Sequence, residues 1–354
     1  MKQAVYPLII AWTIVVAVPV LSAQEIQPRL KFKAHTGIAR TVLLTADEKC
    51  LVTLGGERLE SGGKIVGDNS VKVWDFATGE QMKFPKLAGL SIALSPDGMI
   101  LAVVDERSLR LVDLLTGKEV AAFNDNEFPL RSVAFSPDGK TLAIGWSKDG
   151  PTPGSEVGVA QLWNLATSKP IATLEPSRGP MRALAFSSDG KLLAVATQAF
   201  PRIGDVRFWD VSTGKLHSTL EAGGVDCIAF SPDGKTLAAG CGGRRDRTEK
   251  DLPHHVRLWD VEAASSLQSI RHEFRLMCIA YSPDGATVAA GSEGGELALW
   301  DTATGELRCD VPDQRGYVLS IAFTRDGKTL VSTNGDGEVR CWDVAKLPKR
   351  NADK

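Results

Sequence analysis

Several strings in this 354-residue chain carry residue types that could do chemistry. Gly-Lys-Thr stands at Gly139–Thr141, Gly234–Thr236 and Gly327–Thr329, like the end of a phosphate-binding loop. Such a loop needs a further Gly five residues earlier, at a strand-to-helix junction, so that bare backbone N–H groups can cradle phosphate. Ala134, Ala229 and Ala322 hold those places, so the match is accidental. His272-Glu273 lacks the second His of a zinc-protease helix. Cys241, Asp251 and His254 or His255 are ligand types that suit zinc. Adjacent His side chains in an extended segment point to opposite sides, however. The segment reads as a solvated charged loop carrying Arg244, Arg245 and Arg247, open to contact with a partner. No catalytic residue, metal or cofactor is expected.

The elements that must position these residues repeat. Ser-Pro-Asp-Gly stands at Ser95–Gly98, Ser136–Gly139, Ser231–Gly234 and Ser282–Gly285, with variants at Ser187–Gly190 and Thr324–Gly327. Pro presets φ for the turn and Gly accepts a positive φ, so each phrase is a tight hairpin turn. One unit reads as four strands: Ser132–Phe135, Thr141–Ile144, Val159–Trp163 and Pro170–Leu174. In the first, Ser132 and Ala134 alternate with Val133 and Phe135, so one face is small and the other large. Such a sheet cannot bury both faces alone; stacking around an axis seats a large face on the next small one.

Outside the repeats, Lys2, the apolar stretch Pro7–Leu21 and Ser22-Ala23 read as a secretory signal peptide over residues 1–23, with an uncleaved anchor as the alternative. After cleavage nothing is expected to insert in a membrane. The 41 basic and 43 acidic residues balance, which gives no sign of a nucleic-acid partner. The six Cys are irregularly spaced and read as small buried residues rather than disulfides.

Each turn phrase is followed by Trp-Asp or a near relative, and one more stands before the first phrase: Trp74-Asp75, Val112-Asp113, Trp163-Asn164, Trp209-Asp210, Trp259-Asp260, Trp300-Asp301 and Trp342-Asp343. The joint pattern resembles the Trp-Asp repeat family, the WD40 β-propellers, in a bacterial exported form. The resemblance implies an all-β, seven-bladed propeller over residues 24–345, followed by a short charged tail at 346–354. It also implies that Pro28–Lys33 supplies the outer strand of the last blade. The family's buried network of His, Ser or Thr, Asp and Trp matches throughout only in the first blade: His35, Thr53, Asp68 and Trp74. His35 and Asp68 could be mistaken for a catalytic dyad; the resemblance gives them a structural role. The seventh blade has Gln314 where His is expected, and the sixth has Ala290 and Gly294 in place of the polar residues.

Four segments between second and third strands are long: Gly55–Asn69, Gly145–Gly158, Thr197–Gly204 and Gly240–His255. The resemblance puts them on one face, around the channel. The residues before each small inner position should ring that mouth: Arg40, Leu90, Arg131, Arg182, Asp226, Met277 and Leu319. Arginine forks suit an acidic partner, and Met277 with Leu319 would form an apolar sector. The expected function is a non-catalytic scaffold outside the cytoplasm, periplasmic or extracellular, binding a protein or peptide as a monomer. The alternative is an exported propeller enzyme, lactonase- or hydrolase-like, with its site in the channel.

Overall fold

The computed structural model describes residues 27–59, 64–123, 129–150, 155–175, 177–198, 204–242, 254–312, 314 and 316–348. Seven antiparallel sheets follow one another along the chain. Blade 1 runs outward from Ile38–Leu44 through Cys50–Gly56 and Ser70–Asp75 to Leu87–Ala88. The inner strands of blades 2 to 7 are Ser91–Leu94, Leu130–Phe135, Met181–Phe186, Val225–Phe230, Leu276–Tyr281 and Val318–Phe323. These inner strands contact one another in order, and the last contacts the first. No helix among the described residues is long and apolar enough to cross a membrane.

The N-terminal segment closes the ring. Leu30–Lys33 pairs with Glu338–Asp343 in register Leu30↔Cys341 and Phe32↔Val339, becoming the outer strand of blade 7. Phe32 then lies 4.7 Å from Trp74 of blade 1, ring centre to ring centre. The two ends of the chain are therefore stapled within one sheet, which leaves no long exposed edge at the seam.

Between blades, small seats on large. Cys227 and Ala229 of blade 5 pack against Ile279, Tyr281 and Trp300 of blade 6. On the other side, Ile228 and Phe230 pack on Ala194 and Phe208 of blade 4. Small inner residues also latch neighbouring blades: Ser320 Oγ of blade 7 accepts from Val42 N of blade 1 at 3.2 Å.

The turn phrase is held by its own side chains. Ser136 Oγ donates to Asp138 Oδ1 at 2.6 Å and accepts from Thr141 N at 2.9 Å, while Gly139 adopts φ 69°. A seventh turn, unmarked by the phrase, is Thr45-Ala46-Asp47-Glu48. Thr45 repeats the bonding of Ser136, and Glu48 takes the glycine position at φ 56°.

One expectation needs adjustment. The segment 145–158 is less a loop than an extension of the hairpin: the second and third strands of blade 3 run as Thr141–Asp149 and Glu156–Asn164. The six cysteines are all free thiols, five of them buried. Burial pushes the Cys241, Cys278 and Cys341 thiols up to about 12.

Candidate functional site: the channel mouth opposite the turns

The mouth residues share one backbone device. The register between inner and second strand shifts at Ala39/Thr41, Leu130/Ser132, Met181/Ala183, Val225/Cys227, Leu276/Cys278 and Val318/Ser320. Arg40, Arg131, Arg182, Asp226, Met277 and Leu319 are the extra residues of those bulges. A bulge leaves its residue unpaired and re-aims the side chain out of the sheet's alternation. Six blades thus carry one such unpaired residue each, at the same place in the inner strand. Leu90 of blade 2 is half-buried beside the start of its inner strand, its N–H donating to Val104 O at 2.7 Å.

The side chains differ in what they offer. Arg131 and Arg182 are exposed. Arg40 is half-buried, and its pKa is lowered by burial and by the like charge of Arg131, while Glu57 opposes the shift. Asp226 is not a free acid: its Oδ2 accepts from Arg275 Nε at 2.7 Å, and its Oδ1 accepts from Nη2 of the same guanidinium. A bidentate pair of this kind presents almost no net charge to a ligand. Met277 and Leu319 are both half-buried.

Arg244, Arg245 and Arg247 lie outside the described residues, as does Asp251. At the ends of that segment, Cys241 is buried, and His255 Nδ1 is 2.9 Å from Ser269 Oγ. His254 is half-buried, and burial lowers its pKa. Among the described residues, no three His, Cys, Asp or Glu side chains converge as a metal site.

Blade 1 contains the buried network expected of it. His35 Nε2 is 2.8 Å from Thr53 Oγ1, which accepts from Trp74 Nε1 at 2.9 Å. His35 Nδ1 lies 3.5 Å from Asp68 Oδ1. Burial, helped by Lys72, lowers the His35 pKa from 6.5 to about 4, and Asp68 only partly offsets this. The buried imidazole, favoured neutral, is held between the Thr53 hydroxyl and the Asp68 carboxylate, tying the loop before blade 1 to its second strand and to the segment before its third. In blade 7, Gln314 replaces the histidine: Ser332 Oγ donates to Gln314 Oε1 and accepts from Trp342 Nε1, each at 3.2 Å.

Sequence reasoning missed a second feature of this face. The segment Gly55–Asn69 contains a small hairpin, Arg58–Leu59 with Ile65–Val66. Arg58 Nη1 reaches Asp336 Oδ1 of blade 7 at 2.9 Å. Leu59 and Ile65 are left 71% and 63% exposed, and Tyr317, beside Gly335, 55%. No periodic signal marks them, because single exposed apolar residues are ordinary.

Comparison with known proteins supports the repeat reading. The family model described as WD domain, G-beta repeat matches residues 117–150, 214–248, 264–301 and 306–343. The chain carries WD40 repeats. It is 30% identical over 149 residues to the small ribosomal subunit protein RACK1y of Oryza sativa subsp. japonica, 40% of each chain. It is 26% identical over 234 residues to apoptotic protease-activating factor 1 of Rattus norvegicus, covering 65% of this chain and 17% of that protein. A guanine nucleotide-binding protein subunit beta of Oryza sativa subsp. japonica is 26% identical over 199 residues, 49% of each. The chain spans less than half the length of these relatives.

Proposed function

We propose that this WD40 propeller is a non-catalytic interaction scaffold that presents its loop-rich face to a protein or peptide. The carrying observation is the series of inner-strand bulges at Arg40, Arg131 and Arg182, which we read as lining one end of the channel. Arginine forks on a rigid ring suit an acidic segment. The exposed Leu59, Ile65 and Tyr317 on the same face add apolar anchors. Kinship with repeat proteins such as RACK1y and a G-protein β subunit supports a protein partner. The proposal includes work outside the cytoplasm, supported by the leader-like residues 1–23.

The test is cross-linking in the native envelope, with wild type, Arg131→Glu/Arg182→Glu and a Lys140→Glu control on the turn face. A partner captured by wild type and control but lost from the double reversal supports the mouth. Equal capture by all three removes it.

A further inference from the structure

In six blades the residue two places before the Trp-Asp position is basic or an amide: Lys72, Arg110, Gln161, Arg207, Arg257 and Arg340. Three of them cross to the blade before. Lys72 Nζ donates to Ala34 O at 2.8 Å, Arg110 Nη2 to Ala88 O at 3.0 Å, and Arg257 Nη1 to Ala222 O at 3.4 Å. Each acceptor ends or follows an outer strand. Two others use an acid two residues ahead in their own strand. Arg207 Nε donates to Asp205 Oδ2 at 2.9 Å, and Arg340 Nη2 to Glu338 Oε2 at 2.6 Å.

Blade 6 breaks the pattern with Ala298, which is buried. A pocket of about 550 Å³ opens where the long side chain would lie. The acceptors remain. Glu296 is the acid two residues ahead, and Asp310 stands opposite Ala298 in the register; in the outer strand of blade 5, Arg271 holds the place of Ala88, and His272 that of Ala34 and Ala222; all four line the pocket. Glu273, His272 and Trp300 complete the polar and aromatic wall. His272 Nε2 meets Glu296 Oε2 at 3.2 Å, a partner Glu296 takes in the absence of an arginine in its own strand. The lining residues include three acids, Glu273, Glu296 and Asp310, and one guanidinium-bearing residue, Arg271, so the lining carries a negative excess.

We propose that this pocket receives the guanidinium of an arginine side chain presented by a protein partner. The ligand is named by the chain's own repeats: blades 4 and 7 fill this slot with an arginine bonded to the acid two residues ahead. Carboxylates at Glu296 and Asp310 can take a guanidinium fork, and Trp300 offers an aromatic wall beside it. The proposal deepens the scaffold reading by giving one subsite its partner chemistry, and it is tested on the pocket alone.

The probe is acetyl-arginine-amide, with its neutral isostere acetyl-citrulline-amide as control, followed by the indole N–H resonance of Trp300. Wild type should show a saturable shift with arginine and none with citrulline. Asp310→Asn, at an exposed position, should weaken binding about tenfold. Ala298→Arg should abolish binding and raise the melting temperature by refilling the slot from within. Equal response to both probes, no saturable shift in wild type, or undiminished binding in Asp310→Asn or Ala298→Arg overturns the proposal. Such a failure leaves the arginine mouth standing, since that is judged only by the Arg131/Arg182 capture.

Discussion

Replacing Thr53 by Val tests how much the blade 1 network contributes. The change keeps the shape of a fully buried side chain and deletes one hydroxyl. That hydroxyl has two partners, Trp74 Nε1 at 2.9 Å and His35 Nε2 at 2.8 Å. With Nδ1 facing Asp68, the neutral ring accepts the Thr53 proton at Nε2 while the indole donates to Thr53. Val leaves one buried donor and one buried acceptor without partners, at roughly 1–3 kcal/mol each. The protein already contains the indole half of this defect. Trp209 Nε1 and Trp259 Nε1 are buried without a hydrogen-bond partner, because Val195 and Ala239 stand where blade 1 has Thr53. The indole loss therefore belongs at the low end and the imidazole loss higher, for a total of about 3 kcal/mol. At about 2 °C per kcal/mol for a domain this large, the melting temperature should fall by roughly 6 °C. The assay is calorimetry with urea titration of wild type, Thr53→Val, His35→Asn and the double variant. Coupled residues should show clear non-additivity in that cycle. A Thr53→Val protein within about 0.5 kcal/mol of wild type, or additive losses, would refute the reasoning.

The His35 pKa makes a pH prediction. Its folded value, about 4, lies below the ordinary 6.5, so between these the unfolded chain binds the proton and the folded one does not. His35's contribution is present above pH 6.5 and is lost as pH falls toward 4, about 3 kcal/mol in all. His35→Asn should flatten the stability profile across that window, and an unchanged slope there would count against the burial argument. At the seam, Phe32→Ala removes a ring packed on Trp74 from the closing strand and should cost about 2–3 kcal/mol. Urea melts that coincide for wild type and Phe32→Ala would mean the closure bears little of the stability.

The sequence by itself determined the fold. Turn phrases with a built-in Ser-Asp clasp and a positive-φ glycine, alternating small and large residues, and a recurring Trp-Asp are local signals with local causes. Six turns announced themselves. The seventh did not, because Glu48 adopts a left-handed backbone that its residue type does not advertise. The bulge positions were legible in six blades, since the position before each small inner residue recurs there. Its charge was not: Asp226 reads as a free acid until Arg275, 49 residues away, closes on it. Gln314 reads as a defect in the blade 7 network until Ser332 is seen to bond it. The blade 6 pocket is an alanine in a series of basic and amide residues, and only the register that puts Asp310 opposite it supports our reading of the pocket as a guanidinium site. Local turn chemistry acts over a few residues and can be read in order along the chain. Charge pairing and cavities depend on side chains brought together by the closed ring, and only the tertiary structure decides them.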